Sequence, residues 1–133
     1  MTKGYEAHQQ RRMELSTFGK DLARRSKSKC ELSGASGVPL HIYEIPPAPT
    51  APDPTRCIML CEQVIDQLNK PNQLAPDQWH HLSELVWSDI PAIQIMAYRI
   101  LTHIAKKHIW AQDILDEAYL DDEIMHQANK EPL

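Results

Sequence analysis

Two cysteine-bearing stretches, Lys29-Cys30-Glu31-Leu32-Ser33-Gly34 and Arg56-Cys57-Ile58-Met59-Leu60-Cys61-Glu62-Gln63-Val64, constrain this chain more than any other feature. Paired C-x-x-C knuckles at such a separation supply four thiolates, which close a tetrahedron around zinc and tie the intervening strands together. Here each knuckle keeps its first cysteine, while Ser33 and Val64 stand at the second position. The pattern therefore specifies a kind of fold before it specifies any chemistry.

Cys30 and Cys61 are expected to face each other across the former site, and Cys57 shares the strand parity of Cys61. These three are the candidate metal residues. Three states compete there: a metal-free pocket of thiol and apolar side chains, residual zinc held by two or three thiolates with water or His41, and a Cys30–Cys61 disulfide. A complete structural zinc site contributes roughly 10–16 kcal/mol in small finger peptides. Losing two ligands forfeits most of that, so the metal-free pocket, with no cofactor, is the expectation.

With 133 residues the chain has room for one modest core. No stretch approaches the roughly 20 apolar residues of a membrane span, and the first residues lack the apolar segment of a signal peptide. A cytoplasmic location follows as the default, with no membrane partner. Three cysteines in a reducing compartment favour free thiols or metal ligation over a disulfide framework.

Charge is unevenly distributed. Residues 1–29 carry eight Lys or Arg against three Asp or Glu, whereas residues 30–133 carry six against fifteen. Such a basic arm either binds an anionic partner or lies on the acidic body of its own chain. Arg24, Arg25, Lys27 and Lys29 are the candidate nucleic-acid contacts, with Arg11 and Arg12 further along the same arm. No aromatic residue interleaves with the cluster from Arg24 to Lys29.

The periodicity predicts a helix over Tyr5–Ser26, weakened at Gly19. A strand follows around Leu40–Ile42, after turns at Gly34 and Gly37. The run Pro46-Pro47-Ala48-Pro49-Thr50-Ala51-Pro52-Asp53-Pro54 is too proline-dense for helix or central strand. Cys57–Leu60 reads as the returning strand and Glu62–Leu68 as a short helix. Further helices are expected from an Asp77 cap through Trp79, Leu82, Leu85 and Val86, over Pro91–Lys107 after a cap at Ser88 or Asp89, over Trp110–Tyr119, and from Asp121 or Asp122 to Asn129. The fold class is α+β and mostly helical. A basic helical segment over 1–29, a degenerate zinc-ribbon-like hairpin module over 30–70 and a helical region over 71–133 are expected to form one compact unit.

The module order has the connectivity of a treble clef. Parts of it resemble HNH nuclease modules, but Ile42-Tyr43-Glu44-Ile45-Pro46 stands where those carry catalytic histidines. A resemblance covering almost the whole chain rests on four blocks: Lys29-Cys30-Glu31-Leu32-Ser33-Gly34-Ala35, Ile42-Tyr43-Glu44-Ile45-Pro46-Pro47, Trp87-Ser88-Asp89-Ile90-Pro91-Ala92, and Trp110-Ala111-Gln112-Asp113-Ile114-Leu115-Asp116 with Tyr119-Leu120-Asp121. Together these resemble the PhnA family, named for alkylphosphonate-utilisation operons. The resemblance implies a zinc-ribbon-like N-terminal part, whose knuckles depart from the family at Ser33 and Val64. Many members carry a small C-terminal β-barrel, and this chain stops at Leu133, where it would begin.

No phosphate-binding glycine loop, nucleophile elbow or H-E-x-x-H motif is present. His80 and His81 are adjacent and so diverge on a helix, His103 and His108 lie five apart across a helix end, and all are assigned to surface or capping roles. Trp79, Trp87 and Trp110 are read as core anchors. Asp113, Asp116, Glu117, Asp121, Asp122 and Glu123 are read as a solvated acidic face. The leading expectation is a non-enzymatic interaction module for an unknown protein or a nucleic acid. The alternative is a metal-assisted hydrolase linked to phosphonate metabolism.

Overall fold

A two-stranded antiparallel hairpin lies between the two apolar clusters of the molecule. In the computed structural model, which describes the backbone of residues 2–133 and the side chains from residue 6 onward, β1 (Leu40–Glu44) pairs with β2 (Cys57–Cys61). Leu40 stands opposite Cys61 and Glu44 opposite Cys57. All five residues of β2 are buried. Alternation sends Ile58 and Leu60 into the larger cluster, while Cys57 and Met59 join Leu22, with Leu15, Phe18 and Ile42 against them.

That continuous burial has a physical reason: helices cover the strand on both sides. On one side lies α2 (Gly19–Ser26), packed on β2. On the other lie α3 (Glu62–Asn69), the one-turn α4 (Leu82–Leu85) and the long α5 (Pro91–Ala105). Helix α5 buries Ile93, Met96, Ile100, Leu101 and Ile104, each contributing about 1.5–3 kcal/mol if fully removed from water. Upon α5 pack α6 (Ile109–Glu117) and α7 (Asp122–Ala128). The larger cluster runs in sequence from Cys30 to Ala128, so the hairpin and the helical half share one core. The fold is α+β and mostly helical, as the sequence pattern predicts.

Several local expectations are corrected. The predicted helix over Tyr5–Ser26 is two helices, α1 (Thr2–Ser16) and α2, interrupted at Thr17–Phe18. The Ser16 and Thr17 hydroxyls donate to the carbonyls of Met13 and Glu14, each at 2.6 Å, competing with the helical ladder where Gly19 already weakens it. Asp77 caps no helix; it lies in a short 3₁₀ turn, Pro76–Gln78, that follows Ala75. Ile90, rather than Ser88 or Asp89, is the N-cap of α5, with Pro91 at its first position. The Ser88 hydroxyl still accepts the Ile90 N–H at 3.1 Å. Asp121 does cap α7, accepting the Ile124 N–H at 2.9 Å.

Trp79 is 1 % exposed and anchors the core, its Nε1–H donating to Gln67 at 3.0 Å. Trp87 is 56 % exposed, against expectation. The face that buries Trp79, Leu82 and Val86 leaves position 87 outside. Among the described residues no helix is long and apolar enough to cross a membrane.

Candidate functional site

The turn after Cys30 directs a backbone donor at the Cys30 thiol. Gly34 takes φ +78°, in the left-handed region where a side chain would be strained, and its N–H returns to the Cys30 carbonyl at 2.8 Å. The Cys30 N–H is held by Ala35 O at 2.9 Å. These bonds turn the Ser33 N–H toward Cys30 Sγ, at 3.4 Å. Burial, the largest single influence, raises the Cys30 thiol pKa. Hydrogen bonds from the Ser33 hydroxyl and from the N–H groups of Cys61, Ser33 and Leu32 together outweigh it, leaving the thiol below its ordinary value.

Cys61 closes the other side. It ends β2 and serves as N-cap of α3, and its Sγ lies 3.8 Å from Ser33 Oγ. The Ser33 hydroxyl also accepts the Ala35 N–H at 3.3 Å. Val64, one helical turn beyond Cys61, is 1 % exposed and belongs to the same apolar cluster as Cys30 and Cys61. The four knuckle positions therefore supply two thiols, one hydroxyl already hydrogen-bonded within the protein, and two methyl groups. This donor set does not fit the closed tetrahedron of a structural zinc, because valine offers no lone pair.

Cys57 does not join the pair. Parity places it on the face covered by α2, and its thiol donates to Asp53 O at 3.4 Å. Cys61 departs from that parity because the strand ends there and the chain turns into α3. Burial, reinforced by the charges of Glu44 and Asp53, pushes the Cys57 thiol up to about 11. All three cysteines are free. Among the described residues no group of three or more His, Cys, Asp or Glu side chains is arranged to hold a metal ion.

The basic segment is divided between anchoring and exposure. Arg25 donates through Nε and Nη2 to Glu31 at 3.0 and 2.6 Å, and through Nη2 to Cys57 O at 3.0 Å. Glu31 in turn accepts the Met59 N–H at 2.9 Å. Arg11 forks onto Glu44 at 2.9 and 2.6 Å and reaches the carbonyls of Pro49 and Thr50. Arg24, Lys27 and Lys29, with Lys20, remain exposed. Helix α2 ends in a Schellman motif: Lys27 N–H bonds Arg24 O and Ser28 N–H bonds Ala23 O, with Lys27 at φ 57° and Ser28 at φ 58°.

Among the histidines, His81 Nε2–H donates to Leu32 O at 2.6 Å and so braces the Cys30 turn. His80 stacks on Trp110 with ring centroids 3.8 Å apart. His103 and His108 line one cavity, a meeting their spacing of five does not announce, since it depends on the turn between α5 and α6. His41 is exposed on β1, and the six carboxylates Asp113, Asp116, Glu117, Asp121, Asp122 and Glu123 are all exposed. No protein-family model, curated protein or solved structure matches the chain.

Proposed function

We propose that the chain is a PhnA-like, non-enzymatic interaction module on a degenerate zinc-ribbon scaffold, which binds nucleic acid through the basic end of α2. The observation that carries this reading is the presentation of the charges. Arg11 is tied to Glu44 on β1 and Arg25 to Glu31 in the turn after Cys30. Lys20, Arg24, Lys27 and Lys29 are exposed on the same segment, in no ion pair to a carboxylate among the described residues. Cations held on an anchored helix contact phosphates with less ordering cost than cations on a loose tail. The left-handed backbone at Lys27 adds weight, because a lysine occupies a helix-ending position where glycine is favoured.

The test is the salt dependence of binding to a labelled DNA duplex, followed by fluorescence anisotropy. Three or four phosphate contacts predict a log–log slope of about −3. Arg24→Glu with Lys27→Glu should make the slope shallower and weaken binding. No binding at low salt, a flat salt response, or an unaltered double variant would reject the nucleic-acid reading. Salt-sensitive binding to polyglutamate in place of DNA would instead indicate an acidic protein surface.

A further inference from the structure

Outside the knuckle, the turn between α5 and α6 and the segment 71–76 line a half-open cavity of about 200 Å³. Leu74 and Ile104 contribute apolar surface, Lys106 and Lys107 positive charge, and His103 and His108 their imidazoles. None of the lining residues is acidic. Lys106 and Lys107 are exposed and in no ion pair among the described residues. His103 Nδ1 is buried without a hydrogen-bond partner. That nitrogen is closed off from solvent, so the imidazole meets the cavity through its other ring atoms.

The C-terminal end of α5 opposes an anion, but the opposition is weakened, because His103 O accepts the Lys106 N–H and Ile104 O accepts the N–H groups of Lys107 and His108. Helix α6 has His108 as its N-cap, with no side-chain hydrogen bond capping it. Trp110 lies beside the His108 ring, at a centroid distance of 6.3 Å, and stacks on His80. The cavity is below the roughly 300–1,000 Å³ typical of drug-sized ligands, which selects a small occupant.

We infer that this cavity is a binding site for a small organic oxyanion, a carboxylate or a phosphate monoester on a short apolar chain. Its charged end meets Lys106, Lys107 and the imidazoles, and its chain lies on Leu74 and Ile104. The site is separate from the knuckle and from the basic end of α2, and it requires neither metal nor catalysis.

The experiment titrates the full chain with butyrate, butyl phosphate and neutral butyramide, followed by amide and tryptophan indole NMR shifts. Saturable shifts at His103, His108 and the Trp110 indole with at least one anion are expected, and butyramide should bind more weakly. Which anion binds tighter distinguishes carboxylate from phosphate. Lys106→Gln with Lys107→Gln, both on exposed side chains, should weaken the anion by about tenfold or more. The inference is overturned if neither anion saturates, if butyramide binds as well as the anions, or if the folded double variant binds unchanged.

Discussion

Ser33 Oγ stands 3.8 Å from Cys61 Sγ, so a hydroxyl of the first knuckle meets the thiol of the second where another thiolate would otherwise sit. That hydroxyl also accepts the Ala35 N–H and lowers the pKa of Cys30. Ser33→Ala removes all three interactions. The expected loss of stability is about 1 kcal/mol, and thiolate ultraviolet absorbance should place the Cys30 titration at higher pH than in the unaltered chain. An unchanged titration would show that the hydroxyl does not act on the thiol.

Cys57 should govern alkaline stability. Its folded-state pKa, about 11, lies above the ordinary 9.0, so the folded chain retains a proton that the unfolded chain releases. Stability is therefore complete below 9 and declines as pH rises through the window to 11, by roughly 1–3 kcal/mol. Cys30 acts with the opposite sign: its lowered pKa adds stability as pH rises toward 9.0. Urea midpoints across this range should fall above pH 9, Cys57→Val should reduce that decline, and the half-buried Tyr43 hydroxyl, whose pKa burial also raises, accounts for a remainder at higher pH.

Lys27 offers a test of stability against binding. With φ 57° it sits in the left-handed region at the end of α2. Lys27→Gly should relieve strain and raise stability by about 0.5–1 kcal/mol, the entropy of the unfolded glycine offsetting part of the gain. The same change should weaken DNA binding, since one phosphate contact is lost. Thermal melting and anisotropy on the same sample measure both effects.

The hairpin was legible in the sequence because glycine turns, β-branched residues and a proline run bracket it closely, and α5 because its apolar face is broad. Other features depend on contacts that local pattern does not encode. Trp87 follows a helix of one turn, so its exposure turns on where α4 ends. Cys57 and Cys61 share strand parity, but the start of α3 turns Cys61 toward Cys30. Arg25 reads in the sequence as a nucleic-acid contact, but the fold sets Glu31 and Cys57 O against it. His103 and His108 meet at a cavity because a turn redirects the chain between them.

Arg99 supports the C-terminal helix. It is 2 % exposed, and Nε and Nη2 donate to the carbonyls of Ala128 and Gln127 at 3.0 and 2.9 Å. Burial, followed by repulsion from Arg56, lowers its pKa, while the negative end of α7 stabilises its charge. Arg99→Ala should cost roughly 3–4 kcal/mol by leaving two carbonyls unpaired and opening a cavity. Hydrogen exchange should show α7 losing protection before α5, and equal loss in both helices would argue against this local role.

The degenerate-knuckle account is tested most directly by metal content and thermal stability of the Ser33→Cys, Val64→Cys double variant beside the unaltered chain. Both proteins would be purified without chelator. The account predicts that only the double variant takes up stoichiometric zinc and that zinc raises its melting temperature. A full equivalent of zinc in the unaltered chain, or none in the folded double variant, would contradict it.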